Sequence, residues 1–343
     1  MRRGRVSPVA VIGWAGLAVL LVGAFLAALG ALNQTIYGAS NFVERYLEAI
    51  ADDDIAAAST TPGVALDAAE LAAMGLPEHV STAMFRSGVV EAGPEDVRIV
   101  SDVANPDGTH SVTASYLLDV SIIETTFDVR PIAPLYGVLN RWEFSTSPLT
   151  VIDVTAAHNP LFTVGTLTLD TRATKTGDEL SAFTQTTSYL AIAPAVYEFG
   201  YTSTLLEAVP TSMAMAPASR FAVTVDSMPT TTFVERVQVK VDDYLAQCTT
   251  QQVLQPAGCP FGIEIDDRVV SPPVWTMVTN PPVTLAPGET AFEMPPTEGV
   301  AHISVELQSL FDGDFYTLEE DRPFQIALTA SIRPDGSIAI QLK

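Results

Sequence analysis

The sequence predicts an α+β chain carried on an N-terminal transmembrane helix. Three observations predict it. Val9 to Leu32 is a nearly unbroken run of apolar or small residues. Two later stretches begin with helical periodicity and then alternate with period two. Helices followed by an antiparallel meander define the α+β class. Between them lies a stretch rich in threonine, serine and alanine that reads as strands. The expected layout is a short tail (1–8), a span (9–32), an α+β domain (40–155), a β-sandwich-like module (156–230) and a C-terminal α+β domain (231–343).

The apolar run comes first. Arg2, Arg3 and Arg5 precede it, and no further charged residue or histidine occurs before Glu44. As a helix, residues 9–32 would extend about 36 Å at 1.5 Å per residue. That exceeds a hydrocarbon core of roughly 30 Å, so the run can span with some tilt. Trp14 and Tyr37 flank it at interfacial depth. The three arginines on one side place the N-terminus in the cytoplasm and the rest outside. The rival reading is a cleaved signal peptide, whose apolar stretch is about 7–15 residues before a small-residue site. Ala28-Leu29-Gly30 is the nearest match to such a site, and the run is too long for it. Gly16, Gly23 and Gly30 recur at seven-residue spacing, a candidate stripe for close packing of two membrane helices. Gly and Ala are also simply frequent in membrane helices.

The charge balance excludes one class of partner. The chain has 343 residues and a formal net charge of −23. All 40 acidic residues follow residue 43, with fourteen of the 17 basic ones, so the exported part carries −26. Nucleic-acid binding needs a basic face, so nucleic acid is excluded as a partner. Dispersed acidity favours solubility and opposes non-specific association. Membrane lipid, an envelope protein or a small molecule remain as partners.

Cys248 and Cys259 are the only cysteines. Outside the cytoplasm an even count reads as a disulfide. No histidine lies nearby, and the spacing matches no zinc site. Closing a loop of about a dozen residues is worth roughly 3 kcal/mol on the chain-entropy model.

The elements then follow in order. Asn41 to Ala58 reads as one helix with Ser40 as N-cap, since Phe42, Val43, Tyr46, Leu47 and Ile50 share a face. Leu66 to Arg86 gives one or two short helices. After Pro94, Val97, Ile99 and Val103 alternate with polar residues, and Asn105-Pro106-Asp107-Gly108 marks a turn. Val112, Ala114, Tyr116, Leu118 and Val120 form one strand face, continued by Ile123, Thr125, Phe127 and Val129. Arg141 to Phe144 and Val151 to Val154 are further strands. Leu167, Leu169, Tyr197, Phe199 and Tyr201 mark strands of the middle module. A helix returns over Thr232 to Cys248, with Phe233, Val234, Val237, Val241, Tyr244, Leu245 and Cys248 on its stripe. Strands follow at Val274 to Met277, Ile303 to Val305 and Phe324 to Ile332. Pro334-Asp335-Gly336 turns into Ile338, Ile340 and Leu342. Each α+β stretch thus has a Pro-Asp-Gly turn and a lone strand tryptophan, Trp142 or Trp275.

The segment Phe42-Val43-Glu44-Arg45-Tyr46-Leu47-Glu48-Ala49-Ile50-Ala51-Asp52-Asp53-Asp54, followed by alanines, resembles the opening helix of nuclear transport factor 2-like, or cystatin-like, domains. The strand with Trp142 suits their curved sheet. The resemblance covers about residues 40–155, and 232–343 looks like a shorter, disulfide-stapled relative. The whole layout is similar to Gram-positive envelope proteins, including the teicoplanin-resistance-associated membrane protein family. Many of those carry a cytoplasmic zinc ribbon, for which this chain has no cysteines. The resemblance implies an envelope role and supplies no catalytic residues. Such cones often enclose a pocket, which Tyr46, Tyr116, Phe127 and Trp142 would either line or fill as core.

Catalytic motifs are absent. There is no G-x-S-x-G elbow, no Ser-x-x-Lys pattern and no glycine-rich phosphate loop before a helix. His79, His110, His158 and His302 are scattered singly. Asp312-Gly313-Asp314 lacks the rest of a calcium loop and reads as a turn. No catalytic residue, metal ligand or cofactor is therefore assigned. The leading expectation is a non-catalytic, single-pass envelope protein that binds or docks a partner. The alternatives are an anchored envelope hydrolase, and an assembly subunit acting through the Gly16, Gly23 and Gly30 stripe.

Overall fold

The computed structural model describes residues 8–77, 80–174 and 182–343. Arg2, Arg3, Arg5 and His79 lie outside the described residues. The apolar run forms one helix, α1 (Pro8–Gln34). None of its segment Trp14–Gln34 is buried against the rest of the chain.

The chain turns over Thr35 to Gly38 and enters α2 (Ala39–Ala51), which buries Phe42, Val43, Tyr46, Leu47 and Ile50. Two local expectations change here. The N-cap is Gly38, and Ser40 instead hydrogen-bonds Asp102 at 2.7 Å. The single helix to Ala58 is broken, because Asp53 takes a positive φ of 55°. Asp54 then accepts from the Ala57 amide and caps α3 (Ile55–Thr60). A short side-chain oxygen satisfies an otherwise orphan amide and starts a new helix. Among the described residues, the following stretch yields one short helix, α4 (Ala68–Ala73), opened by a capping box between Asp67 and Glu70.

Four strands follow as an antiparallel meander: β1 (Glu95–Ala104), β2 (His110–Leu118), β3 (Ser121–Leu135) and β4 (Leu139–Phe144). Gly108, at a φ of 87°, closes the first turn with a hydrogen bond to Asn105. Val112, Ala114, Tyr116 and Leu118 are buried as the alternation predicts. Val120 is not, because the chain reverses there and leaves it exposed. The helix α2 packs across β1 and β2.

Then come β5 (Thr150–Ala157), β6 (Leu161–Val164), β7 (Leu167–Asp170), β8 (Thr184–Ala191), β9 (Ala195–Thr202), β10 (Leu206–Met215), β11 (Arg220–Asp226) and β12 (Met228–Pro229). They form two sheets, ordered β11-β5-β8 and β12-β10-β9-β6-β7. The β11–β5 pair is parallel. The boundary expected at residue 155 falls inside β5. One continuous hydrophobic core runs from Ala39 to Val225 across it. Burial demands this: β5 has both faces covered, with Val151, Ile152 and Val154 all inside.

Finally, α5 (Thr231–Thr249) is capped by Thr230 and buries Phe233, Val237, Val241, Leu245 and Cys248. Beyond it lie β13 (Arg268–Val269), β14 (Val274–Thr279), β15 (Ala286–Pro287), β16 (Phe292–Gln308), β17 (Phe315–Ile332) and β18 (Ile338–Leu342) in one antiparallel sheet. This sheet and α5 build a second core, which recruits Leu205 and Leu206 from the start of β10. The two tryptophans play matching roles. Trp142 Nε1 donates to the Tyr37 carbonyl before α2, and Trp275 Nε1 donates to the Val253 carbonyl after α5, each at 2.8 Å.

Candidate functional site

Three places bear on function: the root of α1, the interior behind α2, and a cleft where the two cores meet.

At the root of α1, Asn33 is the first polar residue after the apolar run. Its Nδ2 donates to the Val138 carbonyl at 2.8 Å, and its Oδ1 accepts from the Asn140 amide at 2.9 Å. The helix end is therefore clamped to the β3–β4 turn. The face bearing Gly16, Gly23 and Gly30 is open, with no atom within 4 Å of where a Cβ would stand.

Behind α2, the four aromatics divide. Tyr46, Tyr116, Phe127 and Trp142 are all buried, with Tyr46 packed on Phe144 and Phe127 at ring-centre distances of 5.0 and 6.4 Å. Tyr46 and Trp142 also line a shallow depression of about 380 Å³ that opens toward Tyr37, Arg45 and Arg141. Tyr116 and Phe127 do not line it. Two buried phenols are satisfied: Tyr46 donates to the Ala193 carbonyl at 2.7 Å and Tyr197 to that of Ile192 at 2.6 Å. Burial pushes both phenols up, that of Tyr46 well above its ordinary value.

The cleft has a volume of about 740 Å³. Its floor is apolar, from Phe183, Leu205, Leu206 and Phe292, and its rim carries His158, Arg172, Arg236 and Arg333. In a chain with 40 acidic residues, no carboxylate lines it among the described residues. Arg172 is paired with Asp170 at 2.7 Å. Arg236 and Arg333 are exposed and have no ion-pair partner among the described residues. His158 Nδ1 is held by Asp226 at 2.7 Å, and its ring packs on Phe183 at 5.1 Å. No hydroxyl is hydrogen-bonded to His158 among the described residues, so the nucleophile–base contact of acyl transfer is not formed. His110 lies elsewhere, bonded to Asp102 and packed edge-to-face on Trp142. His302 sits on the exposed face of the last sheet between Glu319 and Asp321. Among the described residues, no group of His, Cys, Asp or Glu is placed to hold a metal ion.

Cys248 and Cys259 are joined, with Cα atoms 5.8 Å apart. The bridge pins the loop after α5 to that helix. The clamp at Asn33 and the arginine rim were missed by sequence reasoning. Asn33 was visible as the first polar residue after the run. The arginines span residues 172–333, and no local pattern joins them.

Comparison with known protein families, curated proteins and solved structures finds no match for this chain.

Proposed function

We propose that this chain is a single-pass membrane protein with a cytoplasmic N-terminus and an extracytoplasmic folded part that binds an anionic amphiphile without transforming it. One observation carries the anchor: Trp14–Gln34 is apolar, wholly unburied, and continuous with the fold that follows. The Cys248–Cys259 disulfide supports an oxidising compartment for that fold. The cleft supports the binding reading. Two arginines unpaired among the described residues, Arg236 and Arg333, over an apolar floor attract an anionic head and shelter an alkyl or aromatic body. The chain's net charge of −23 opposes non-specific capture of such a ligand. The packing of α2 across a four-stranded antiparallel meander supports a cystatin-like assignment for residues 40–155.

The test uses full-length protein in detergent, titrated with a fluorescent fatty-acid analogue and with its neutral methyl ester. The acid is expected to bind and the ester to bind more weakly. Replacing both arginines (Arg236→Gln with Arg333→Gln) should weaken the acid about tenfold or more, the scale of one lost charge-assisted hydrogen bond. Equal binding of acid and ester, or an unaffected double variant, would refute the cleft as the site.

A further inference from the structure

We infer that the β3–β4 turn, Leu135-Tyr136-Gly137-Val138, is a second membrane contact seated in the interfacial layer of the bilayer beside the exit of α1. The inference rests on the anchor reading above. Length sets the depth. The run Val9 to Leu32 would extend about 36 Å as a helix, against a hydrocarbon core of roughly 30 Å, so Asn33 emerges into the headgroup layer. That layer is roughly 5–7 Å thick on each side. Val138 and Asn140 are hydrogen-bonded directly to Asn33, so the turn lies within it. No linker lets the fold drift away. Only residues 35–38 separate α1 from α2, and Trp142 on β4 holds the Tyr37 carbonyl.

The chemistry of the turn fits that depth. Tyr136 is 86% exposed, and Leu135, Val138 and the neighbouring Ile36 are exposed too. These four side chains are uncharged and apolar or amphipathic, as interfacial anchors are. Arg141 follows on β4, exposed and without an ion-pair partner among the described residues. Its position suits a phosphate headgroup. Exposure alone is not the reason for the assignment. Val120 is equally exposed just before the opposite end of β3, fifteen residues or roughly 50 Å from Leu135 at 3.3 Å per residue. Phe311 is more exposed still, but it lies between Leu310 and Asp312 on a turn with no bond to α1.

The experiment uses the full chain in phosphatidylcholine vesicles. Its native cysteines are paired, so Tyr136→Cys or Val138→Cys takes one environment-sensitive fluorophore, and Val120→Cys gives the far-end reference. The expected result is a blue-shifted emission at 136 and 138, quenched by lipids brominated near the headgroup, with neither effect at 120. A chain that floats with the vesicles but shows the same wet, unquenched emission at all three positions overturns the membrane seat alone. A chain that does not float overturns the anchor, and the membrane seat with it.

Discussion

The Tyr46 hydroxyl donates to the Ala193 carbonyl at 2.7 Å, joining α2 to the turn between β8 and β9 across 147 residues of sequence. This bond ties α2 to the sheets that follow the meander, and it lies inside the core they share. Tyr46→Phe keeps the ring and removes the donor, leaving a buried carbonyl unpaired. The expected cost is about 1–2 kcal/mol, read as a lower urea midpoint with unchanged slope. Burial holds the phenol protonated well beyond its ordinary range, so the loss should be the same at neutral and mildly alkaline pH.

The disulfide should stabilise chiefly the second core. Cys248 is buried in that core, and the bridge spans 11 positions of sequence. Cys248→Ala with Cys259→Ala should cost about 3 kcal/mol on the loop-entropy model. Trp275 hydrogen-bonds the carbonyl of Val253 inside the bridged loop, whereas Trp142 reports on the other core. Unfolding followed through a Trp142→Phe background should show the full shift. Unfolding followed through a Trp275→Phe background should show less.

His302 should titrate high. Its ring bonds Asp321 at 2.7 Å and Glu319 at 2.6 Å, and these bonds raise its pKa above the usual histidine value. The raised value fixes the sign. The bridge's contribution is fully present below the ordinary value and is lost as pH rises through the folded one. The imidazole resonances should move with a midpoint above about 6.5. Asp321→Asn with Glu319→Gln should bring that midpoint down. An unchanged midpoint in the double variant would show that the carboxylates are not the cause.

How far the sequence reached depends on the range of the interactions involved. Periodicity marked α5, because Phe233, Val237, Val241 and Leu245 repeat along one local stripe. The turns at Gly108 and Gly336 were legible for the same reason, since a positive φ favours glycine locally. The helix break at Asp53 was not. Three consecutive aspartates resemble a solvated charge run, and only the folded backbone shows that one of them takes a positive φ and ends the helix. The core that crosses residue 155 was hidden as well. Its composition changes there, while its strand pairing, β5 with β8 and β11, is made with residues 27 to 69 positions away.

By itself, the sequence determined the apolar span, the α+β class, the paired cysteines and the acidic exterior. Each is set by composition or by contacts between near neighbours. Tertiary structure alone decided that Asn33 clamps the β3–β4 turn to the apolar helix α1, and that Arg172, Arg236 and Arg333 share one cleft with no carboxylate lining it among the described residues. Those relationships join residues about a hundred positions apart. They exist only once burial of two cores has fixed where each strand ends.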